Sequence, residues 1–171
     1  MANLRMKGMP VETSRSVQLV LEEFFSAPVR AAGFFLNLLT RARLGIQIDI
    51  VPHWDGRVLS LDERFVFSDG QTDHKVWRLE KTGHATYAGS REDMIGLGRV
   101  WTEGHVVRLA YRLVMVGTGF DFDETMTLDA DGVLVGRSTV RKWRLPVGRV
   151  ELTMRHSGAT GGGVVAPGNP Q

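Results

Sequence analysis

From residue 31 to residue 155 apolar and polar side chains alternate with a period of two, and turn residues break the alternation at short intervals. Leu44, Ile46, Ile48 and Ile50, set between Arg43, Gly45, Gln47 and Asp49, show the pattern of a strand with one buried face. Turn signals follow at Asp55-Gly56, Asp69-Gly70, Thr82-Gly83, Glu103-Gly104, Gly117-Thr118-Gly119 and Asp131-Gly132. Each supplies residues that tolerate the positive φ of tight hairpins. The segments between them predict about ten strands, at 31–39, 43–51, 57–68, 73–81, 84–90, 95–102, 105–116, 120–129, 133–142 and 147–155. No helical pattern alternates with these strands, which excludes a parallel βαβ arrangement. A run of hairpins closing on itself also removes exposed edges, so the sequence predicts an all-β, antiparallel up-and-down barrel.

Ahead of the barrel, Val17, Val20, Leu21, Phe24 and Phe25 recur at helical spacing. They predict an amphipathic helix over 13–26, with Thr13 or Ser14 as N-cap and Pro28 beyond its end. The chain therefore divides into an N-terminal segment, 1–30, whose helix packs on or caps the barrel; the barrel, 31–156; and a tail, 157–171. The tail is uncharged and rich in glycine, and reads as disordered.

Strand phase tests which polar groups face inward. Glu63 falls among Leu59, Leu61, Phe65 and Phe67; Lys75 shares a phase with Trp77 and Leu79; Glu124 interrupts Phe120, Phe122, Met126 and Leu128. Lys142 ends the phase of Leu134, Gly136, Ser138 and Val140, and Tyr111 lies in a clean apolar phase with Val107, Leu109 and Leu113. Two acids and two bases thus point inward. Buried charges must pair, titrate or be hydrated by a cavity. One reading is a polar site inside an apolar pocket with Trp77 and Tyr111 as walls and Lys75 or Lys142 holding an anionic head group; the other is an internal ion-pair network, or charges solvated at the barrel mouths. His105 shares the phase of Tyr111 and is the histidine placed closest to such a site.

Composition narrows the functions. The 171 residues carry 21 Lys and Arg against 19 Asp and Glu, a net charge of +2, which does not require a nucleic-acid partner. Residues 137–155 hold six basic side chains and one acid, Glu151, and read as a solvated outer strip. There is no cysteine, so thiol chemistry and thiolate metal sites are excluded, and the five histidines lack ligand spacing. No nucleophile elbow or phosphate loop occurs, so no cofactor, metal or catalytic constellation is expected. No apolar run is long enough to span a bilayer, and no secretory signal pattern is present, so the chain reads as cytoplasmic.

The spacing of Leu61-Asp62-Glu63-Arg64-Phe65, Asp69-Gly70, Val76-Trp77, Tyr87-Ala88-Gly89, Asp93, Gly96 and Gly98 resembles an uncharacterised bacterial lipocalin-like family, domain of unknown function 3833. The likeness continues through Gly104, Tyr111, Phe122-Asp123-Glu124-Thr125-Met126, Arg137-Ser138, Lys142 and Gly148. It implies a calycin-like barrel and gives no residue a role, because the family has no established activity. Relatives often resemble exported lipoproteins; this chain has no cysteine to acylate. The expected function is binding of a small amphiphile, fatty-acid-like or another apolar acid, by Glu63, Phe65, Lys75, Trp77, Tyr111, Glu124 and Lys142. The alternative is a non-enzymatic interaction or envelope-associated module using the helix and the outer arginines. A third reading makes Glu63 a general acid or base.

Overall fold

The structure, a computed structural model, describes residues 19–158. One helical turn, α1 (Leu21–Phe24), precedes ten strands: β1 (Val29–Asn37), β2 (Arg43–Trp54), β3 (Val58–Phe67), β4 (Thr72–Gly83), β5 (Thr86–Ser90), β6 (Gly98–Glu103), β7 (Val106–Met115), β8 (Thr118–Leu128), β9 (Leu134–Lys142) and β10 (Leu145–His156). They form a closed antiparallel barrel in which each strand pairs with the next and β1 pairs with β10.

All ten predicted strands are present, with ends displaced by local chemistry. β1 stops at Asn37, whose side-chain oxygen accepts from the backbone N–H of Leu39 (2.9 Å) and Thr40 (3.1 Å) and so turns the chain. β2 continues through Pro52 to Trp54. Its pairing with β1 reaches only Ile50, so Pro52 lies beyond that ladder, where a missing N–H is tolerated. Phe35 lies against Gly148, where any Cβ would come within 2.4 Å of the ring.

The helix is shorter than predicted. Val20 is extended (φ −109°, ψ 119°), and only Leu21–Phe24 are helical. The part of the predicted helix over 13–18, with its N-cap candidates Thr13 and Ser14, lies outside the described residues, as do residues 159–171 of the tail. What the helical turn loses in length it recovers by burial. Leu19, Leu21, Phe24 and Phe25 are buried with Val29, Ile48, Leu59, Leu79 and Val107 in one core at the end of the barrel where β1 begins and β10 ends. Glu22 accepts from both Lys81 and the Tyr87 hydroxyl, and a ring nitrogen of His156 lies 2.6 Å from the Phe24 carbonyl. These contacts seal that end. No helix among the described residues is long and apolar enough to cross a membrane.

Candidate functional site

A cavity of about 560 Å³ runs inside the barrel. This is the size of a site for one small molecule. Its floor is Leu21 and Phe25 beneath the helical turn; its walls include Ile46, Ile48, Leu61, Trp77 and Met154; Phe35, Leu44, Phe67 and Met115 line it farther along. Asp73 and Val114 line it and are exposed, so it reaches solvent at the end opposite α1. The alternation that buries one face of each strand has filled the barrel at the sealed end only.

One polar patch interrupts the apolar wall. β3 carries Glu63 inward, β7 carries Tyr111, β8 carries Glu124 and β9 carries Ser138. The Tyr111 hydroxyl donates to Glu124 Oε2 at 2.9 Å. Its ring stands edge-on to Trp77 (5.0 Å, 84°) and stacks on Phe122 (5.1 Å, 7°), fixing where the hydroxyl points. Gly136 leaves room for the acid beside it, since a Cβ there would lie 3.3 Å from Glu124 Oε1. Ser138, directly opposite Glu124 in the β8–β9 ladder, is buried beside the Tyr111 phenol and the Glu124 carboxyl, and its hydroxyl makes no well-formed hydrogen bond to either.

The cation beside these acids comes from the connection between β5 and β6. Arg91 is only 10% exposed, donates to both carboxylate oxygens of Asp93 (2.7 and 3.0 Å), lies over the Trp77 ring (5.2 Å), and brings Nη1 to 4.0 Å from Glu63 Oε2. Arg91 is already committed to Asp93, so it compensates Glu63 only in part. Burial pushes the Glu63 carboxyl up to about 8, with Arg91 opposing and the nearby Glu124 adding to the rise. Burial also raises Glu124, against the hydrogen bond from Tyr111, and raises the Tyr111 phenol further through the adjacent acid. At neutral pH Glu63 is a carboxylic acid able to donate as well as accept.

Six of the seven residues singled out from the sequence line this cavity: Glu63, Phe65, Lys75, Trp77, Tyr111 and Glu124. The structure does not bring Lys142 to it. Lys142 ends β9 at the rim, its ammonium over the rings of Phe120 (5.1 Å) and Trp143 (4.7 Å). Lys75 lies at the edge of the cavity and is held by Glu92 (2.8 Å) and Asp73 (3.4 Å), so its charge is spent on carboxylates of the protein. The four inward charges therefore do not form the balanced set expected. His105 is exposed in the turn between β6 and β7, where a hairpin ends the phase it shared with Tyr111. On the outer strip, Arg137 pairs with Glu151 (3.5 Å) and Arg141 with Asp123.

Arg91 and Asp93 were not legible as site residues, because Ser90-Arg91-Glu92-Asp93 has the composition of a solvated loop. Ser138 was placed inward by phase, but nothing in the sequence marked its hydroxyl as poorly bonded. The inward acids on β3 and β8 need a cation nearby, and the strand phases point to Lys75 and Lys142 for it rather than to Arg91.

Residues 4–156 match the family described as Protein of unknown function (DUF3833). The chain belongs to that family. No curated protein matches this family member. Among solved structures it is similar to the S-type phycobiliprotein lyase CPES from Guillardia theta, with a TM-score of 0.56 at 10% identity over 85% of this chain and 96% of that one. That likeness is one of fold: an antiparallel barrel. A redesigned β-barrel, mFAP1, bound to DFHBI, aligns with a TM-score of 0.42 at 12% identity over 84% of this chain and all of the other.

Proposed function

We propose that this barrel binds one elongated, mainly apolar molecule whose single polar group is neutral and hydrogen-bonding, such as a hydroxyl, carbonyl or amide. The observation that carries this reading is the Ser138 hydroxyl, buried without a well-formed hydrogen bond and facing an apolar cavity beside Glu124 and Tyr111. A buried hydroxyl without a well-formed hydrogen bond costs stability, and a ligand group placed between Ser138 and the protonated Glu63 would remove that cost. The apolar body of the ligand would lie between the patch and the open end, against Phe35, Ile46, Phe65 and Leu113.

The charge distribution argues against the fatty-acid carboxylate expected from the sequence. A carboxylate seated at the patch would face Glu124 and Asp93 with one guanidinium already shared, and burying it there is unfavourable. Of the lysines expected to receive it, Lys75 is held by Glu92 and Asp73, and Lys142 lies at the rim outside the cavity.

The test is displacement of the neutral fluorescent probe N-phenyl-1-naphthylamine at pH 7. Dodecanol should displace it about tenfold more effectively than dodecanoate, because only the alcohol enters without burying a charge. Ile48→Trp, which fills the cavity, should abolish uptake of the probe. A wild-type protein that takes up no probe, or that prefers dodecanoate, overturns the reading.

A further inference from the structure

The two ends of the barrel are chemically unlike. The turns around the sealed end are built on Asp55-Gly56, Glu103-Gly104 and Asp129 to Gly132, with glycine at each positive φ. At the open end the rim is made of the connections β1–β2, β3–β4, β5–β6, β7–β8 and β9–β10, and four of these five carry exposed apolar side chains. Leu39 (78% exposed), Leu97 (72%), Trp143 (80%) and the fully exposed Val116 stand at their tips, with Ile95 and Leu145 beside them. No large exposed apolar residue lies in the turns of the sealed end described above.

Backbone conformation singles out the same tips. Among the described residues four non-glycine positions have positive φ, namely Arg41 (64°), Val116 (50°), Trp143 (50°) and Arg144 (70°), and all lie on this rim. Tight two-residue hairpins favour asparagine and glycine, and a β-branched valine there is strained. Such strain persists where the side chain has a use. Arg41, Arg43, Lys142 and Arg144 have no carboxylate within salt-bridge distance among the described residues; on the strand walls Arg30, Arg112 and Arg141 are paired, with Asp49, Asp121 and Asp123, while Arg78, Arg99, Arg149 and Arg155 are not.

We infer that the open rim docks on an anionic lipid bilayer, inserting Leu39, Val116, Trp143 and Leu145 at the interface while Arg41, Arg43, Lys142 and Arg144 meet the headgroups. Tryptophan with short apolar neighbours and a cluster of cations at the neighbouring β1–β2 and β9–β10 connections is the composition of an interfacial contact, while Asp69 and Glu92 put acids on the β3–β4 and β5–β6 connections. The outer wall is charged, with paired and unpaired arginines along its strands, and this confines that contact to the rim, since a lipid-facing band would be apolar. At the sealed end Asp55 is followed, after Gly56, by Arg57 and Glu103 is paired with Arg108, so the mouth-down orientation rests on the rim cations. Docked this way, the cavity opens directly onto the acyl region, from which an apolar ligand would enter without crossing water.

The experiment is co-sedimentation of the chain with vesicles of phosphatidylcholine alone and of phosphatidylcholine mixed with phosphatidylglycerol. The wild type should bind the mixed vesicles, about tenfold less the neutral ones, and progressively less as salt rises. Val116→Gly, Trp143→Gly and Leu145→Ser combined should reduce binding to the mixed vesicles about tenfold. Glycine fits the backbone at the first two sites, and a thermal melt no lower than wild type shows that the variant is folded. Absence of binding to the mixed vesicles, or binding unchanged in the folded variant, overturns the inference. So does a dimer in lipid-free solution that the same variant dissociates, which would assign the rim to a second copy. None of these outcomes depends on what the cavity holds.

Discussion

Glu63 and Lys75 are directly opposite each other on β3 and β4, yet they do not pair. The ammonium turns along the edge of the cavity to Glu92 and Asp73, and the carboxyl faces Arg91 from 4.0 Å. Cross-strand neighbours of opposite charge attract when both are solvated. Here Glu63 is enclosed, its proton is retained, and the lysine finds better partners at the edge.

This arrangement makes stability depend on pH. Between the ordinary carboxyl value of 4.5 and about 8, the folded chain keeps a proton on Glu63 that the unfolded chain releases. Stability should therefore fall as pH rises through that window, by on the order of a few kcal/mol, and this group adds no further change above it. Glu63→Gln should flatten the slope and leave the variant more stable than wild type at pH 8. Urea midpoints at pH 5 and pH 8 test this; a wild-type midpoint that rises across that interval contradicts it.

A second prediction concerns Ser138. Replacing its buried, poorly bonded hydroxyl by alanine should raise the stability of the ligand-free protein by up to about 1 kcal/mol. The same change should weaken binding of dodecanol several-fold, because the hydroxyl is the group left for the ligand. Melting temperature and probe displacement on one preparation show whether the two effects move in opposite directions, as they must if the site is reserved for a guest.

The seal at α1 rests on Glu22. Burial raises its carboxyl, but the hydrogen bonds from Lys81 and Tyr87 outweigh burial and hold it below the usual range. Its contribution to stability is present above the unfolded value of 4.5 and is lost as pH falls through the lower folded value. Glu22→Ala leaves a buried phenol and an ammonium without an acceptor and should cost about 1–3 kcal/mol at pH 7. Hydrogen exchange should accelerate first in Leu21–Phe24 and in Tyr87, and uniform exchange across the barrel would argue against a local latch.

Gly33→Ala should be among the most damaging single changes. A Cβ there would lie 1.8 Å from the carbonyl oxygen of Glu151, which is backbone of the neighbouring strand and cannot rotate away. Separation of β1 from β10 is the only relief, at a cost of roughly 3 kcal/mol or more. Chemical denaturation reads this directly; an alanine variant within experimental error of wild type would contradict the contact.

The barrel was legible because its signal is distributed. Ten alternating segments and six turns point to the same topology, so errors of two or three residues at strand ends, as at Pro52 and Asn37, leave the pairing unchanged. The inward acids were legible for the same reason: Glu63 and Glu124 each interrupt an otherwise apolar phase. Their partner was not. Arg91 reaches the interior from an irregular connection, where no period exists to reveal direction. Lys142 shows the converse limit. Its phase is that of Ser138 and Val140, but phase says nothing about depth, and a residue at the last position of a strand lies at the rim whichever face it takes. The helix is shorter than predicted because Val20, which shares the apolar spacing of the turn that follows, is extended, and Leu19 beside it is buried in the barrel core.

Closure through β1 and β10 has a consequence for synthesis. The two strands stand at opposite ends of the described chain, and neither edge of the sheet is satisfied until they meet. While the ribosome is still making β10, the growing polypeptide has no enclosed volume, only an open, greasy sheet with two raw borders. Any guest must therefore arrive after β10 has been made, and a nascent chain stalled before Leu145 would be prey for chaperones and proteases.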